Sequence, residues 1–422
     1  MSFIPKQVAK EGLDTLQYFN QGSKEVLYEH AKKQFKLLND RQYKRLRQSD
    51  NPKLQYSQVI AKREHNESRN RYIDIIPYDY NRIKLNNRHL GPCQYNEEDY
   101  INASLIEFDL DGNNNIESFS QQQQNNHNKE EDGKGHRKRR YIATQGPLPS
   151  TIGDFWRMIL EQQVKVIVCL TPEKENGRNK CARYWPVGND EVLTYNLTSL
   201  YQPSSTNTTT MATKRRTSLI SSHFLLPSRF KQNNMSEKEK VETEKEKEEI
   251  WTIQVKNEQP EVYDERSATI IRCIRVTCSY QDSIVQSSLV YQLQFLGWID
   301  HGVPNQTNHV NALIQLTNHL QANSDFNKDD RSASPIVVHC SAGCGRTGTF
   351  CVIDSCTHWL KDSYLSSSSS ATSSLSSLSI DPVFELADLF RKQRTTMVQA
   401  PSQFLFCYQA IWDMLQELKG DE

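Results

Sequence analysis

Several things are missing from this 422-residue chain. No apolar run approaches the roughly 18–20 residues that a membrane-spanning helix needs. The opening Met1-Ser2-Phe3-Ile4-Pro5-Lys6-Gln7 lacks the apolar stretch of a secretory signal, and the closing Gly420-Asp421-Glu422 carries no prenylation cysteine. Neither charge is in excess, with 51 Lys+Arg against 51 Asp+Glu. That balance excludes a dedicated nucleic-acid binder, whose affinity rests on surplus positive charge. The ten cysteines include no CxxC pair and no Cys/His cluster at zinc-ligand spacing. Set among apolar neighbours, as Cys169 and Cys273 are, they read as reduced, buried thiols. Hydrophobic residues reach only 36%, below the usual globular share. The expectation is a soluble protein with no membrane segment, cytoplasmic or also nuclear, whose core is diluted by polar filler.

Four stretches hold most of that filler: residues 111–135, 200–249, 321–333 and 365–380. None can bury enough apolar area to offset the entropy of ordering, so each reads as a disordered surface insertion. Loop closure costs grow only logarithmically with length, which lets one domain carry them all. The expected organisation is an N-terminal extension over 1–29 and a single domain over 30–420. Between the insertions, strand and helix patterns alternate. Phe155, Met158 and Ile159 share a helical face and lead into the apolar run Val164 to Leu170. Trp251 to Val255 and Leu289 to Phe295 alternate as strands do, Pro335-Ile-Val-Val reads as a buried strand, and Phe404 to Leu418 as a closing helix. The fold class expected is α/β (α+β), a central twisted mixed sheet flanked by helices.

Between that buried strand and the next helix lies Val338-His339-Cys340-Ser341-Ala342-Gly343-Cys344-Gly345-Arg346-Thr347-Gly348. Among the ten cysteines only Cys340 has an arginine six positions on, Arg346. Small residues between them let a tight loop turn its backbone N–H groups inward, so Ser341, Ala342, Gly343, Cys344 and Gly345 form an anion cradle. The helix that starts near Arg346 adds its positive end. A free thiol, with a pKa of about 8.5, is mostly protonated at neutral pH, and this environment should lower it. The guanidinium fork of Arg346 suits two phosphate oxygens. Thr347 is placed to donate a hydrogen bond to the sulfur, and His339 to shape the loop through the backbone. Cys344, Cys351 and Cys356 read as core thiols.

The run His339 to Gly348 resembles the signature loop of the tyrosine-specific, cysteine-dependent protein phosphatases, and further motifs follow in that family's order from about residue 30 onward. Asn70-Arg71-Tyr72-Ile73-Asp74 resembles the phosphotyrosine recognition loop. The resemblance implies that Tyr72 stacks on the substrate ring, although as a bare residue it reads equally as a core aromatic, and that Asp74 binds the peptide backbone. Asp99 to Ser104 and Thr144-Gln145-Gly146-Pro147 match core motifs. Glu175 and Lys180 match the loop that steadies the catalytic arginine, and Gln399 and Gln403 the pair that orders the hydrolytic water. Trp298-Ile299-Asp300-His301-Gly302-Val303-Pro304 falls where the mobile acid loop lies, with Ile299 in place of the family's proline, and with His301 where an aromatic contact is frequent. The resemblance implies Asp300 as general acid and then base, with no metal or other cofactor.

The implied reaction is hydrolysis of phosphotyrosine in proteins through phosphocysteine, in intracellular signalling. Two alternatives stand beside it: a phosphotyrosine-binding pseudo-phosphatase, suggested by Ile299, and a dual-specificity or lipid phosphatase, opposed by the Tyr72 loop. Phosphotyrosyl proteins are the expected partners. Lys214-Arg215-Arg216-Thr217-Ser218-Leu219 resembles a basophilic kinase site and, loosely, a docking element for mitogen-activated kinases; it also reads as a solvated charge cluster. His136 to Arg140 reads as a nuclear signal or as a charged strand entry.

Overall fold

The computed structural model describes residues 6–85, 99–110, 138–197, 251–298, 302–324, 334–365 and 380–420. The stretches 111–135 and 200–249, with Lys214 to Leu219, lie outside the described residues, as do His136 and most of 321–333 and 365–380.

Three strands make the centre: β3 (Lys138–Thr144), β12 (Ile336–His339) and β4 (Val166–Cys169). They are mutually parallel, with Val338 level with Ala143 on one side and Val168 on the other. Parallel strands buried on both faces need continuous apolar sequence, which Ile336-Val-Val and Val166-Ile-Val supply. Successive side chains alternate between faces. Ile336 and Val338 join one core cluster with Val166, Val168, Tyr141 and Ala143, while Val337, Ile167 and Ile142 join the other.

On one flank β2 (Tyr100–Asp109) adds antiparallel to β3, and β1 (Arg82–Lys84) antiparallel to β2. On the other, β11 (Ser283–Phe295) runs parallel to β4, followed by β10 (Thr269–Tyr280), β8 (Trp251–Asn257) and β7 (Val192–Asn196), with β9 (Val262–Asp264) also on β10. Among the described residues the sheet has ten strands and is mixed, as its sequence pattern predicts. A small hairpin, β5 (Lys174–Glu175) and β6 (Arg178–Asn179), stands apart.

The second core cluster is closed by α4 (Ile152–Glu161), whose Phe155, Met158 and Ile159 are buried. The first is closed by α5 (Asn308–Ser324), α6 (Gly345–Leu365), α7 (Pro382–Gln393) and α8 (Pro401–Gly420). Residues 321–324, expected to be part of a disordered insertion, instead end helix α5, and the buried Gln321 side-chain amide donates to Ser334 O at 2.8 Å. Helix α7 starts where Asp381 accepts from the amides of Val383 and Phe384, with Pro382 in its first turn.

Part of the expected N-terminal extension, from Leu13 to Phe19, also packs. Helices α1 (Lys6–Gln21) and α2 (Lys24–Leu46) place Leu13, Leu16, Phe19, Phe35 and Leu38 in the first cluster. His30 Nε2 lies 2.6 Å from Asp381, which also accepts from Tyr408. At the start of β3, Arg139 pairs with Asp354 and Arg140 with Glu107, so these two basic residues serve strand entry.

Candidate active site

The carboxyl ends of β3, β12 and β4 lie side by side, and the crevice outside such ends is where open α/β sheets bind ligands. Strand β12 ends at His339, and the chain turns through Cys340 to Cys344 before entering α6 at Gly345.

The carbonyls of this turn are all engaged by groups other than the sulfur. Cys340 O meets His339 Nδ1 at 3.2 Å, and Ser341 O accepts from Gly146 N at 2.9 Å. Ala342 O and Gly343 O accept from Arg394 at 3.0 and 2.7 Å. Cys344 O accepts from Gly348 N at 2.8 Å and Val398 N at 3.2 Å. In a planar trans peptide the N–H points opposite to its carbonyl. Five engaged carbonyls therefore turn the amides of Ser341 to Gly345 inward, and Gly343 N donates to Cys340 Sγ at 3.3 Å. The turn depends on Gly343, whose φ is +71° and where a Cβ would lie 2.1 Å from Thr144 O.

Burial pushes the Cys340 thiol up, but the Thr347 hydroxyl, the Arg346 charge and the Thr347 and Cys344 amides outweigh it, and its pKa lies below the ordinary value. Thr347 Oγ1 is buried with no hydrogen bond of full geometry, so it acts on the sulfur as a nearby dipole. Cys344 goes the other way: burial first, then the neighbouring Cys340, raise it to about 12. His339 is fully buried, which holds its pKa down to about 4. It is neutral, with Tyr184 Oη 2.7 Å from Nε2.

Arg346 is 9% exposed and held as a fork. Its two terminal nitrogens donate to the Glu175 carboxylate at 2.5 and 3.0 Å, and one also to Leu170 O at 3.1 Å. Glu175 comes from the β5–β6 hairpin, with Lys180 Nζ 3.8 Å away. Tyr72, half-buried, hydrogen-bonds with Ser341 Oγ at 2.9 Å, and Asp74 is exposed beyond it. Arg71 anchors that segment on the carbonyls of Gly146, Pro147 and Asn179, at 2.9, 2.7 and 3.2 Å. Gln399 and Gln403 close the helix side: a Cβ on Gly345 would lie 3.1 Å from Gln399 Cβ and 3.0 Å from Gln403 Oε1. Val398, just before Gln399, has φ +60°, a strained setting for a β-branched residue.

The loop thus gathers Cys340, Arg346, Thr347, Tyr72, Glu175, Lys180, Gln399 and Gln403 around one cradle, with Asp74 at its rim. Ile299, Asp300 and His301 lie outside the described residues. Their flanks are joined, with Trp298 Nε1 donating to Gly302 O at 3.0 Å. Sequence reasoning missed Arg394, which is fully buried and also donates to Ser104 Oγ and Asn102 Oδ1. An arginine in the charged run Arg391-Lys392-Gln393-Arg394 gives no sign that its partners are backbone carbonyls.

A family model for protein-tyrosine phosphatase matches residues 66–233 and 230–413. Tyrosine-protein phosphatase non-receptor type 9 of Homo sapiens is 29% identical over 357 residues, 83% of this chain and 42% of that protein. Protein-tyrosine-phosphatase PTP1 of Arabidopsis thaliana is 30% identical over 367 residues, 86% of this chain and 75% of that protein. The chain therefore spans less than half of the human relative and three quarters of the plant one. A solved structure titled "PTPN18 in complex with HER2-pY1248 phosphor-peptides" is similar with a TM-score of 0.56 and 26% identity, covering 91% of this chain and 99% of that one. Motif order, sheet topology and these matches agree, and the chain belongs to the protein-tyrosine phosphatase family.

Proposed function

We propose that this chain hydrolyses phosphotyrosine in proteins through a phosphocysteine intermediate on Cys340. The observation that carries the proposal is the ring of inward amides around a thiol of lowered pKa, facing the Arg346 fork. In the first step a lone pair on Cys340 Sγ forms the S–P bond while the P–O bond to tyrosine breaks. Asp300 gives its proton to the leaving phenolate; this assignment rests on its place after Trp298. In the second step water, held by Gln399 and Gln403 and deprotonated by Asp300, forms a P–O bond as the S–P bond breaks, releasing phosphate and returning the electron pair to Cys340 Sγ. The amides and Arg346 take up the charge that builds on the equatorial oxygens. Thr347 assists the departing sulfur.

Tyr72, fixed over Ser341, gives the pocket a wall whose depth suits a phosphorylated ring and leaves phosphoserine and phosphothreonine short of the sulfur. The partners proposed are phosphotyrosyl proteins, and the setting is signalling inside the cell. In line with this, the related PTPN18 structure is titled as a complex with phosphopeptides, and among the described residues no helix is long and apolar enough to cross a membrane.

The test is release of phosphate from a phosphotyrosyl peptide by the wild type and by Cys340→Ser, with a phosphothreonyl peptide as control. Turnover of the first peptide alone, lost in the variant and unaffected by EDTA, is expected. Equal rates on both peptides, or turnover surviving in Cys340→Ser, would contradict the proposal.

A further inference from the structure

The connection between α7 and α8 carries Gln399 and holds two β-branched residues in the left-handed region, Thr396 at φ +62° and Val398 at φ +60°. Side chains branched at Cβ avoid that region, so the connection keeps its shape only where its surroundings over-determine it. Val398 is fixed from the signature loop and from α7. Its amide donates to Cys344 O at 3.2 Å, and Arg391 donates to Met397 O and Val398 O at 2.9 and 2.7 Å. Thr396 is fixed from the other end of the sequence. Gln42 of α2, 354 positions earlier, accepts from the Thr396 amide at 2.7 Å and donates from Nε2 to Thr396 Oγ1 at 3.2 Å.

Three residues before Gln42, on the same side of α2, Asn39 Oδ1 accepts from Arg391 at 2.8 Å. Helix α2 therefore holds the connection twice, directly at Thr396 and through the arginine that grips Met397 and Val398. Phe35 and Leu38, buried in the first core cluster, seat the helix. The two chemical steps draw on different parts of the site. Attack by Cys340 uses the ring of amides and Arg346, whose partners do not include Gln42. Gln399 and Gln403 serve only when water attacks. Gln403 Oε1 accepts from the amides of Gln399 and Ala400 at 2.9 and 3.2 Å, so a shift of the connection carries both glutamines with it.

We propose that Gln42 is a positioning residue for the second step: by pinning Thr396 it sets Gln399 and Gln403 against the phosphocysteine, and it governs hydrolysis of the phosphoenzyme rather than its formation. This deepens the phosphocysteine reading above and rests on it.

The experiment compares the full-length wild type, Gln42→Met and Gln42→Glu on p-nitrophenyl phosphate, by steady-state and stopped-flow rates and by mass spectrometry of acid-quenched enzyme. Methionine matches glutamine in length but makes no hydrogen bond of that strength, whereas glutamate accepts from both the Thr396 amide and its hydroxyl. The ratio kcat/KM covers the steps up to departure of the phenol, and kcat also includes hydrolysis of the phosphoenzyme. In Gln42→Met, kcat should fall about tenfold while kcat/KM stays within about twofold of wild type. Phosphocysteine should accumulate on Cys340, with a nitrophenol burst of about one per enzyme. Gln42→Glu should return kcat to within about threefold of wild type. Equal falls in kcat and kcat/KM, no change in either, a fall in kcat without accumulated phosphoenzyme, or no recovery in Gln42→Glu would overturn this inference alone. Wild-type turnover that survives Cys340→Ser would overturn the phosphocysteine reading, and this inference with it.

Discussion

Cys340 at the mouth of the signature loop and Cys344 at its back are both buried, and burial pushes both thiols up. They nevertheless end on opposite sides of the ordinary value, Cys340 below it and Cys344 at about 12. The mouth has inward amides, the Thr347 hydroxyl and the Arg346 guanidinium; the back has desolvation and the neighbouring Cys340, opposed mainly by Arg394. Burial alone makes an inert thiol, and the same burial around aligned dipoles makes a nucleophile.

The sharpest way to break this difference is Gly343→Ala. A Cβ 2.1 Å from Thr144 O at φ +71° cannot be accommodated without moving the turn. Loss of aligned amides should lower kcat/KM on a phosphotyrosyl peptide by about 10³. Strain should also reduce unfolding free energy by about 2–4 kcal/mol, read from urea titration.

Arg394→Met comes next. It leaves Ala342 O and Gly343 O without their donor, at a cost of about 1–3 kcal/mol per buried carbonyl in the urea titration. The loosened loop should turn over about a hundredfold more slowly.

Thr347→Ala removes the group that contributes most to lowering the Cys340 pKa. The sign follows directly: the pKa rises, the thiolate fraction at neutral pH falls, and the rate of alkylation against pH shifts to higher pH. Turnover should drop by about tenfold.

Cys344→Ser has the smallest effect. A neutral thiol at the back of the loop is replaced by a hydroxyl of similar size, and kcat/KM should stay within about threefold of wild type. A loss as large as that of Gly343→Ala would mean that the two thiols act together.

Much of this site was legible because it is local. The Cys340 to Arg346 spacing, the glycines between them and the strand before them are contiguous in sequence, and the face-to-face alternation of Ile336, Val337 and Val338 needs no knowledge of partners. The scaffold behind the loop was harder to read. Arg391 and Arg394 lie in a charged run that suggests a surface, yet both are fully buried. Their bonds go to Met397 O and Val398 O, and to Gly343 O and Ala342 O. Backbone carbonyls leave no mark on residue identity, so such clamps emerge only from the fold. Helix α1 falls in the expected extension because the resemblance to the family starts only near residue 30. Its Leu13, Leu16 and Phe19 recur at three-residue spacing, a signal that could have placed it on the core.

The proposed reaction requires Cys340 to lose its proton far more readily than its neighbour Cys344. Alkylation by iodoacetamide across a pH series, with the labelled cysteine identified by mass spectrometry, tests it directly. Cys340 should be modified at neutral pH, with a midpoint below the ordinary thiol value of about 8.5, while Cys344 stays unmodified. A Cys340 midpoint at or above that value, or equal labelling of both cysteines, would contradict the account.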